Sequence, residues 1–285
     1  MRELKSSSPT QSPASRGERH AITRVRHGLK LRILTVQSTM HLTPGMVRVT
    51  FTGDDLADFA SSGFDDHIKL FLPQEDAQGA LLLPSLPGET KPPPEGGMPV
   101  ARDYTPRRFD PVRRELEIDF AIHDSGPITR WALEALPGQQ VAIGGPRGSF
   151  LVADDFDWYL LVGDESALPA IGRRLEELPV GAQALVIVEV ASEREQLALE
   201  SRARTAITWL HRGQRPAGTT DLLENAVRDL VLPPGDGYAW VACESLVAKR
   251  LRQSLVEDRG MPKAWVKASG YWKRGAAGFH QEHGD

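Results

Sequence analysis

The chain has 285 residues, enough for two domains at roughly 100–200 residues each. Apolar residues make up 40% and charged residues 25%, an ordinary globular composition, and a net charge of −4 gives no basic surplus to hold nucleic acid or an anionic membrane. One cysteine, Cys243, excludes an intramolecular disulfide and a cysteine-bound zinc or iron–sulfur cluster; a thiol-only chain fits a reducing compartment, hence the cytoplasm.

Residues 1–22 contain Ser and Arg and lack an apolar core, so they read as a solvated tail rather than a secretory signal. No later run reaches the ~18 apolar residues of a membrane span. Residues 23–153 read as short strands separated by turns. Val47-Arg48-Val49-Thr50-Phe51 and His67-Ile68-Lys69-Leu70-Phe71 alternate apolar and polar, as half-buried strands do. Glu115 to Ile122 and Val141 to Ile143 continue the series. Short strands at regular spacing predict an antiparallel barrel. Leu81 to Pro99, dense in Pro and Gly, reads as an exposed loop.

Within this half, Arg102-Asp103-Tyr104-Thr105-Pro106-Arg107 packs two arginines, an aromatic and a hydroxyl close together. On a strand, Arg102 and Tyr104 share one face and Thr105 takes the other. A flavin dinucleotide needs such a set: an aromatic face for the ring, a donor at its polar edge and a guanidinium fork for the pyrophosphate. The same residues also suit an ordinary solvated strand. His123-Asp124-Ser125-Gly126-Pro127-Ile128-Thr129 reads as the end of a strand followed by a helix start, with Pro127 at the first helical position. Such a start binds phosphate well, although many carry no ligand. Trp131, Leu133 and Leu136 of that helix are expected to face the core. Gly144 to Ser149 is a tight turn that carries Arg147 as a fixed positive charge.

Residues 154–275 change style. Trp158 to Val162 and Leu185 to Val190 are continuous apolar runs, as in strands buried on both faces. Leu168, Ile171, Leu175 and Leu178 fall at helical spacing between them. Tyr238 to Ala242 leads into a second helix with the stripe Val247, Leu251, Leu255, ended by Gly260. Strands alternating with helices imply a parallel sheet. Gly163-Asp164-Glu165-Ser166 joins a buried strand to a helix where ligands bind in such sheets, although G-x-G-x-x-G is absent. Lys267 to Gly275 interleaves aromatics and cations, either a final strand or a basic lid. Residues 276–285 read as a second tail.

These segments, in this order, resemble the siderophore-interacting protein family, flavin-dependent ferric-siderophore reductases of the ferredoxin-reductase superfamily. The matching segments are Arg102 to Arg107, Gly145 to Ser149, Gly163 to Pro169 and Gly270 to Lys273, within a likeness running from about Gly28 to Gly275. The resemblance implies an FAD-binding Greek-key β-barrel followed by a parallel α/β NAD(P)-binding domain. It implies that Arg102, Tyr104, Thr105 and Arg107 form the flavin strand. Asp119, Ala121 and His123 would lie beside the ribityl chain, and Gly126, Pro127, Ile128 and Thr129 at the pyrophosphate. Asp164 and Glu165 would begin the nucleotide site. Lys69, Arg147 and Lys273 would hold an anionic ferric chelate, with Arg274 beside Lys273 as a substitute. No catalytic side chain and no protein-bound metal is implied. The expected protein is a monomer that takes electrons from NAD(P)H, or from ferredoxin, and passes them through FAD to Fe(III)-siderophore. A general flavin or quinone reductase and a non-catalytic siderophore-binding protein are the alternatives.

Overall fold

A computed structural model describes residues 19–74, 81–84, 99–122, 126–276 and 281–283. His123 and most of the Leu81–Pro99 segment therefore lie outside the described residues.

The first unit contains β1 (Ile22–Arg26), β2 (Leu31–Thr43), β3 (Met46–Thr52), β4 (Ile68–Phe71), β5 (Ala101–Tyr104), β6 (Arg108–Asp110), β7 (Glu115–Ala121), helix α1 (Pro127–Glu134), β8 (Gln140–Gly144) and β9 (Gly148–Val152). Seven strands pair antiparallel in the order β5-β4-β8-β2-β3-β7-β6, and β1 pairs with β9 beside them. Edge strand β5 also approaches β7, so the sheet curls into an open barrel. The alternation that predicted these strands is the cause of their burial. Val47, Val49 and Phe51 point inward to meet Ile68, Leu70, Ile118 and Phe120 in one core, while Arg48 and Thr50 face outward.

Helix α1 differs from expectation in one respect. It buries Ile128, Thr129 and Ala132, whereas Leu133 is 45% and Leu136 63% exposed. The i, i+4, i+7 stripe through Ile128, Ala132 and Ala135 meets the barrel core, and the two leucines lie off that stripe. Trp131 alone of the three expected residues packs inward, 6.3 Å from Phe51 and 6.2 Å from Phe120 between ring centres.

The second unit contains β10 (Trp158–Asp164), α2 (Leu168–Glu177), β11 (Gln183–Val190), β12 (Arg204–His211), α3 (Leu222–Asp229), β13 (Gly237–Glu244), α4 (Ser245–Gln253), β14 (Val266–Trp272) and β15 (Gln281–His283). The sheet order is β12-β11-β10-β13-β14-β15, parallel except for the last pair. Every residue of β10 and β13 is buried because hydrophobic cores cover both faces of the sheet. Gly163 lets the start of α2 sit against β10; a Cβ there would lie 2.6 Å from the Ala242 carbonyl oxygen.

Both expected tails contribute structure. His20 is buried, its ring nitrogens 3.0 Å from Asp155 and 3.0 Å from Asp236, and β1 begins at Ile22. At the other end, β15 adds an antiparallel strand to β14. The two units are also sewn together. Phe64 and Met46 of the first share a core with Tyr159 and Trp240 of the second. The Trp240 indole N–H donates to Asp65 (3.0 Å), and the Lys267 amine lies 2.7 Å from the same carboxylate oxygen.

Candidate functional site

Two sheet edges face one another where the barrel stays open. Strand β5 pairs only with β4, and β7 beyond Glu117 pairs only with β3 among the described residues. Their backbone donors and acceptors are thus left for something other than a neighbouring strand. Tyr104 stands at the end of β5, its ring 4.5 Å from Phe120 of β7 and its hydroxyl hydrogen-bonded to Thr129 of α1. Burial raises the pKa of its phenol, against the nearby charge of Arg102. Arg102 lies two residues back on the same pleat and donates to the Ala101 carbonyl (2.7 Å). Helix α1 begins beside them after Gly126, an extended residue, and no described side chain caps its first amides.

This donor set fits FAD. The exposed edges suit an extended chain, Tyr104 supplies an aromatic face, and Arg102 with the α1 start suits two phosphates. Thr105, at 6% exposure, packs just past the strand end. The buried carboxylate of Asp119 is engaged by Arg48 at 2.6 and 2.9 Å, so its side chain serves the strand pair. Arg107 spans the two units: one guanidinium nitrogen lies 3.2 Å from Glu176 of α2, and its ε nitrogen lies 4.0 Å from Asp119. The neighbouring Arg173 adds to this seam by donating to the Ser61 and Pro106 carbonyls (2.7 and 3.1 Å).

The expected substrate cations lie in two places. Lys69 is 46% exposed on β4, 2.7 Å from Asp103 and paired in register with Gly144. That register brings Lys69 beside the turn bearing Arg147, which is exposed. The turn is rigid by construction. Gly145 adopts φ +96°, which favours glycine, and Arg32 donates to its carbonyl (3.1 Å). Ser149 donates to buried Asp66 (2.6 Å), accepts from the Ser62 amide (3.1 Å) and lies 2.8 Å from the His27 ring. Lys273 lies on the other unit, just past β14 and bridged to Ala276. Arg274 lines a separate cavity of about 160 Å³ with Thr219, Glu244 and Arg250.

The carboxyl ends of β10, β11 and β13 gather acids. Asp164 accepts from the Ser166 amide (3.0 Å) and the Trp272 indole (2.8 Å), and burial raises its pKa. Glu189 is paired with the Thr220 hydroxyl (2.5 Å) and is likewise pushed up by burial. Glu165 accepts from the Ala191 amide (3.0 Å) and pairs with Arg212. Burial, reinforced by Asp164, pushes its carboxyl from 4.5 up to about 6. The folded protein therefore binds this proton more tightly than the unfolded chain does. Stability should rise by about 2 kcal/mol from this group as pH falls through about 6 toward 4.5. Glu165→Gln removes the titration, so urea melts across that window should lose this slope. A slope identical to the parent's would assign the effect to other groups.

Comparison with known proteins places these features in a family. The family model described as siderophore-interacting protein matches residues 156–275, and the one described as siderophore-interacting FAD-binding domain matches residues 35–150. The NADPH-dependent ferric-chelate reductase of Escherichia coli (strain K12) is 37% identical over 252 residues, covering 87% of this chain and 95% of that protein. The chain belongs to the siderophore-interacting protein family. The crystal structure of a siderophore utilization protein from T. fusca superposes with a TM-score of 0.82 at 38% identity, covering 91% of this chain and 98% of that one. The ferredoxin reductase in carbazole 1,9a-dioxygenase, at 15% identity and a TM-score of 0.58 over 84% of this chain and 68% of that one, shares the fold. The two-unit ferredoxin-reductase-like architecture expected from the sequence is thus shown.

In this siderophore-interacting protein, Arg102, Tyr104 and Thr129 converge on the barrel seam, with Ala121, Gly126, Pro127 and Ile128 at its margins. Asp164 and Glu165 stand apart at the parallel sheet. Sequence reasoning missed His27, Asp66 and Ser62, which hold the Arg147 turn, and Asp65, Trp240, Arg173 and Glu176, which join the units. Each of these contacts spans dozens of residues, and no local motif marks them.

Proposed function

We propose that the protein is an FAD-dependent ferric-siderophore reductase that passes electrons from NAD(P)H through FAD to Fe(III)-siderophore and releases Fe(II). The carrying observation is similarity to an NADPH-dependent ferric-chelate reductase over 87% of this chain, spanning both units. FAD, when bound, supplies a centre that accepts two electrons as hydride and gives them up singly. The chain supplies binding, orientation and field. Tyr104, Arg102 and Thr105, with the α1 start at Gly126 to Thr129, would hold the dinucleotide along the seam, and Arg107 would keep the seam registered against α2. The FAD-binding unit is assigned to residues 23–153 and the nucleotide unit to 154–275.

Lys69 and Arg147 carry exposed positive charge on one rim, and Lys273 adds a third cation from the second unit. Spread cations at an open rim steer and hold a bulky anionic chelate without protein ligands to its iron. No group of three metal-ligating side chains occurs among the described residues, and the iron here is cargo of the substrate. A reducing, cytoplasmic setting is part of this reading, in keeping with a chain whose one cysteine, Cys243, is a free thiol. No described helix is long and apolar enough to cross a membrane. Ferredoxin remains a second candidate donor, and the protein is taken as a monomer.

The substrate assignment is tested by Lys69→Ala and Arg147→Ala. Each should weaken binding of an anionic ferric siderophore about three- to tenfold at low ionic strength, with the loss shrinking as salt is added. Bound flavin should be unchanged. Equal affinity of parent and double variant at low salt would remove the rim from the account. Faster turnover of free flavin or quinone than of ferric siderophore would favour a general reductase.

A further inference from the structure

The segment that follows β1 runs along the turn that carries Arg147. The Gly145 amide donates to the Lys30 carbonyl (3.2 Å), and the His27 amide donates to the Arg147 carbonyl (2.9 Å). Two residues further on, Ser149 is 4% exposed, and the His27 ring meets its hydroxyl through Nε2 at 2.8 Å. His27 thus holds the turn twice, once through its backbone and once through its side chain. The side chain of Arg147 is exposed and in no ion pair among the described residues, so the backbone of its turn decides where the charge is presented.

The polar groups behind the turn fix where their protons lie. Arg173 of α2 can only donate, so the Ser61 hydroxyl accepts from it (2.8 Å) and points its own proton at Asp66 (2.9 Å). The Gly63 amide donates to the same Asp66 oxygen (3.1 Å), which is therefore an acceptor. Burial raises the pKa of this carboxyl, and any proton it takes up belongs on its other oxygen. The Ser149 hydroxyl then gives its one proton to Asp66 (2.6 Å) and keeps two lone pairs. The Ser62 amide takes one of them (3.1 Å). The other faces His27, so Nε2 of that ring carries a hydrogen and donates it.

We infer that His27 is a positioning residue for the siderophore rim, holding the Arg147 turn through an Nε2–H donor without touching the chelate itself. The inference rests on Arg147 binding the anionic ferric siderophore. A cation held in place before the substrate arrives keeps the entropy of ordering its turn out of the binding step. The chain from Arg173 through Ser61, Asp66 and Ser149 also ties the turn to α2. The rim is therefore braced against the second unit as well as against the barrel.

The test uses the full chain loaded with FAD and titrated calorimetrically at low salt with an anionic ferric tris-catecholate. His27→Ala should weaken the chelate about threefold. His27→Gln, whose side-chain amide replaces the Nε2–H donor, should recover most of that loss. In an Arg147→Ala background, His27→Ala should change affinity less than about 1.5-fold, because the cation it positions is gone. Histidine ¹⁵N spectra of the parent, with the His27 signal identified by its absence in His27→Gln, should show a proton on Nε2. A bare Nε2, undiminished affinity in His27→Ala, a Gln variant no better than Ala, or an equal further loss in the Arg147→Ala background overturns the inference. Two failures stay distinguishable. Weakening by Arg147→Ala with no effect of His27→Ala sinks the positioning role alone. No effect of either variant removes the rim from the proposed function, and the positioning role with it.

Discussion

Tyr104→Ala is expected to yield a protein that loses most of its FAD and melts well below the parent. The ring leans on Phe120 at 4.5 Å and the hydroxyl bonds Thr129, so one side chain ties β5, β7 and α1 together. Truncating a packed aromatic to alanine costs about 3 kcal/mol at a partly exposed position. The same change removes the aromatic face of the seam, so FAD should bind at least about tenfold more weakly. Tyr104→Phe separates the two effects. It keeps the ring and gives up only the bond to Thr129, worth about 1 kcal/mol. Thermal melts with the flavin released on denaturation report both quantities. An Ala variant that keeps a full complement of flavin would move the cofactor away from this seam.

Lys267→Ala carries the second large effect, on stability. Asp65 is 8% exposed, and one of its carboxylate oxygens has no hydrogen-bond partner. The other is held by the Lys267 amine at 2.7 Å and the Trp240 indole at 3.0 Å. Lys267 also sits 4.2 Å over the Phe150 ring. Removing the lysine leaves a buried carboxylate with one neutral donor, a loss of about 3–5 kcal/mol. Because Asp65 belongs to the first unit and Lys267 to the second, the loss should also loosen the two against each other. Asp65→Asn in the same background keeps an acceptor for Trp240 and removes the stranded charge. The double variant should therefore recover much of the lost stability in urea melts. A Lys267→Ala protein as stable as the parent would show that the pair is not carrying the contact between the units.

The parts of this protein that were legible in the sequence are those whose burial is written in local periodicity. Val47 to Phe51 alternates because one face of β3 is core, and Trp158 to Val162 is apolar throughout because β10 is covered on both faces. Leu168, Ile171, Leu175 and Leu178 all face inward from α2 and its end, as their spacing predicts. The less legible elements carry weaker patterns. Strand β12 is an edge with mostly exposed side chains, so it shows no clean alternation. In α1, the small residues Thr129, Ala132 and Ala135 face the core and the larger Leu133 and Leu136 do not, so size misled where spacing would have served. His20 is folded in by carboxylates far along the chain, Asp155 and Asp236, which nothing near it in sequence announces.

The candidate site divides the same way. The Arg102–Tyr104 strand and the Pro127 helix start were visible because each is a compact segment with its chemistry in consecutive residues. The supports of the Arg147 turn and of the contact between the units, Ser149 on Asp66 and Arg107 on Glu176, come from tertiary contacts and became visible only in the fold.

The most direct test of the reductase reading is an anaerobic assay of the purified protein with FAD, a ferric siderophore and NADPH or NADH, following Fe(II) with a ferrous-specific chelator. The account predicts Fe(II) formation that requires FAD and is faster with NADPH than with NADH. A protein that takes up no flavin, or one that binds it yet forms no Fe(II) with either nucleotide or with reduced ferredoxin, would contradict it.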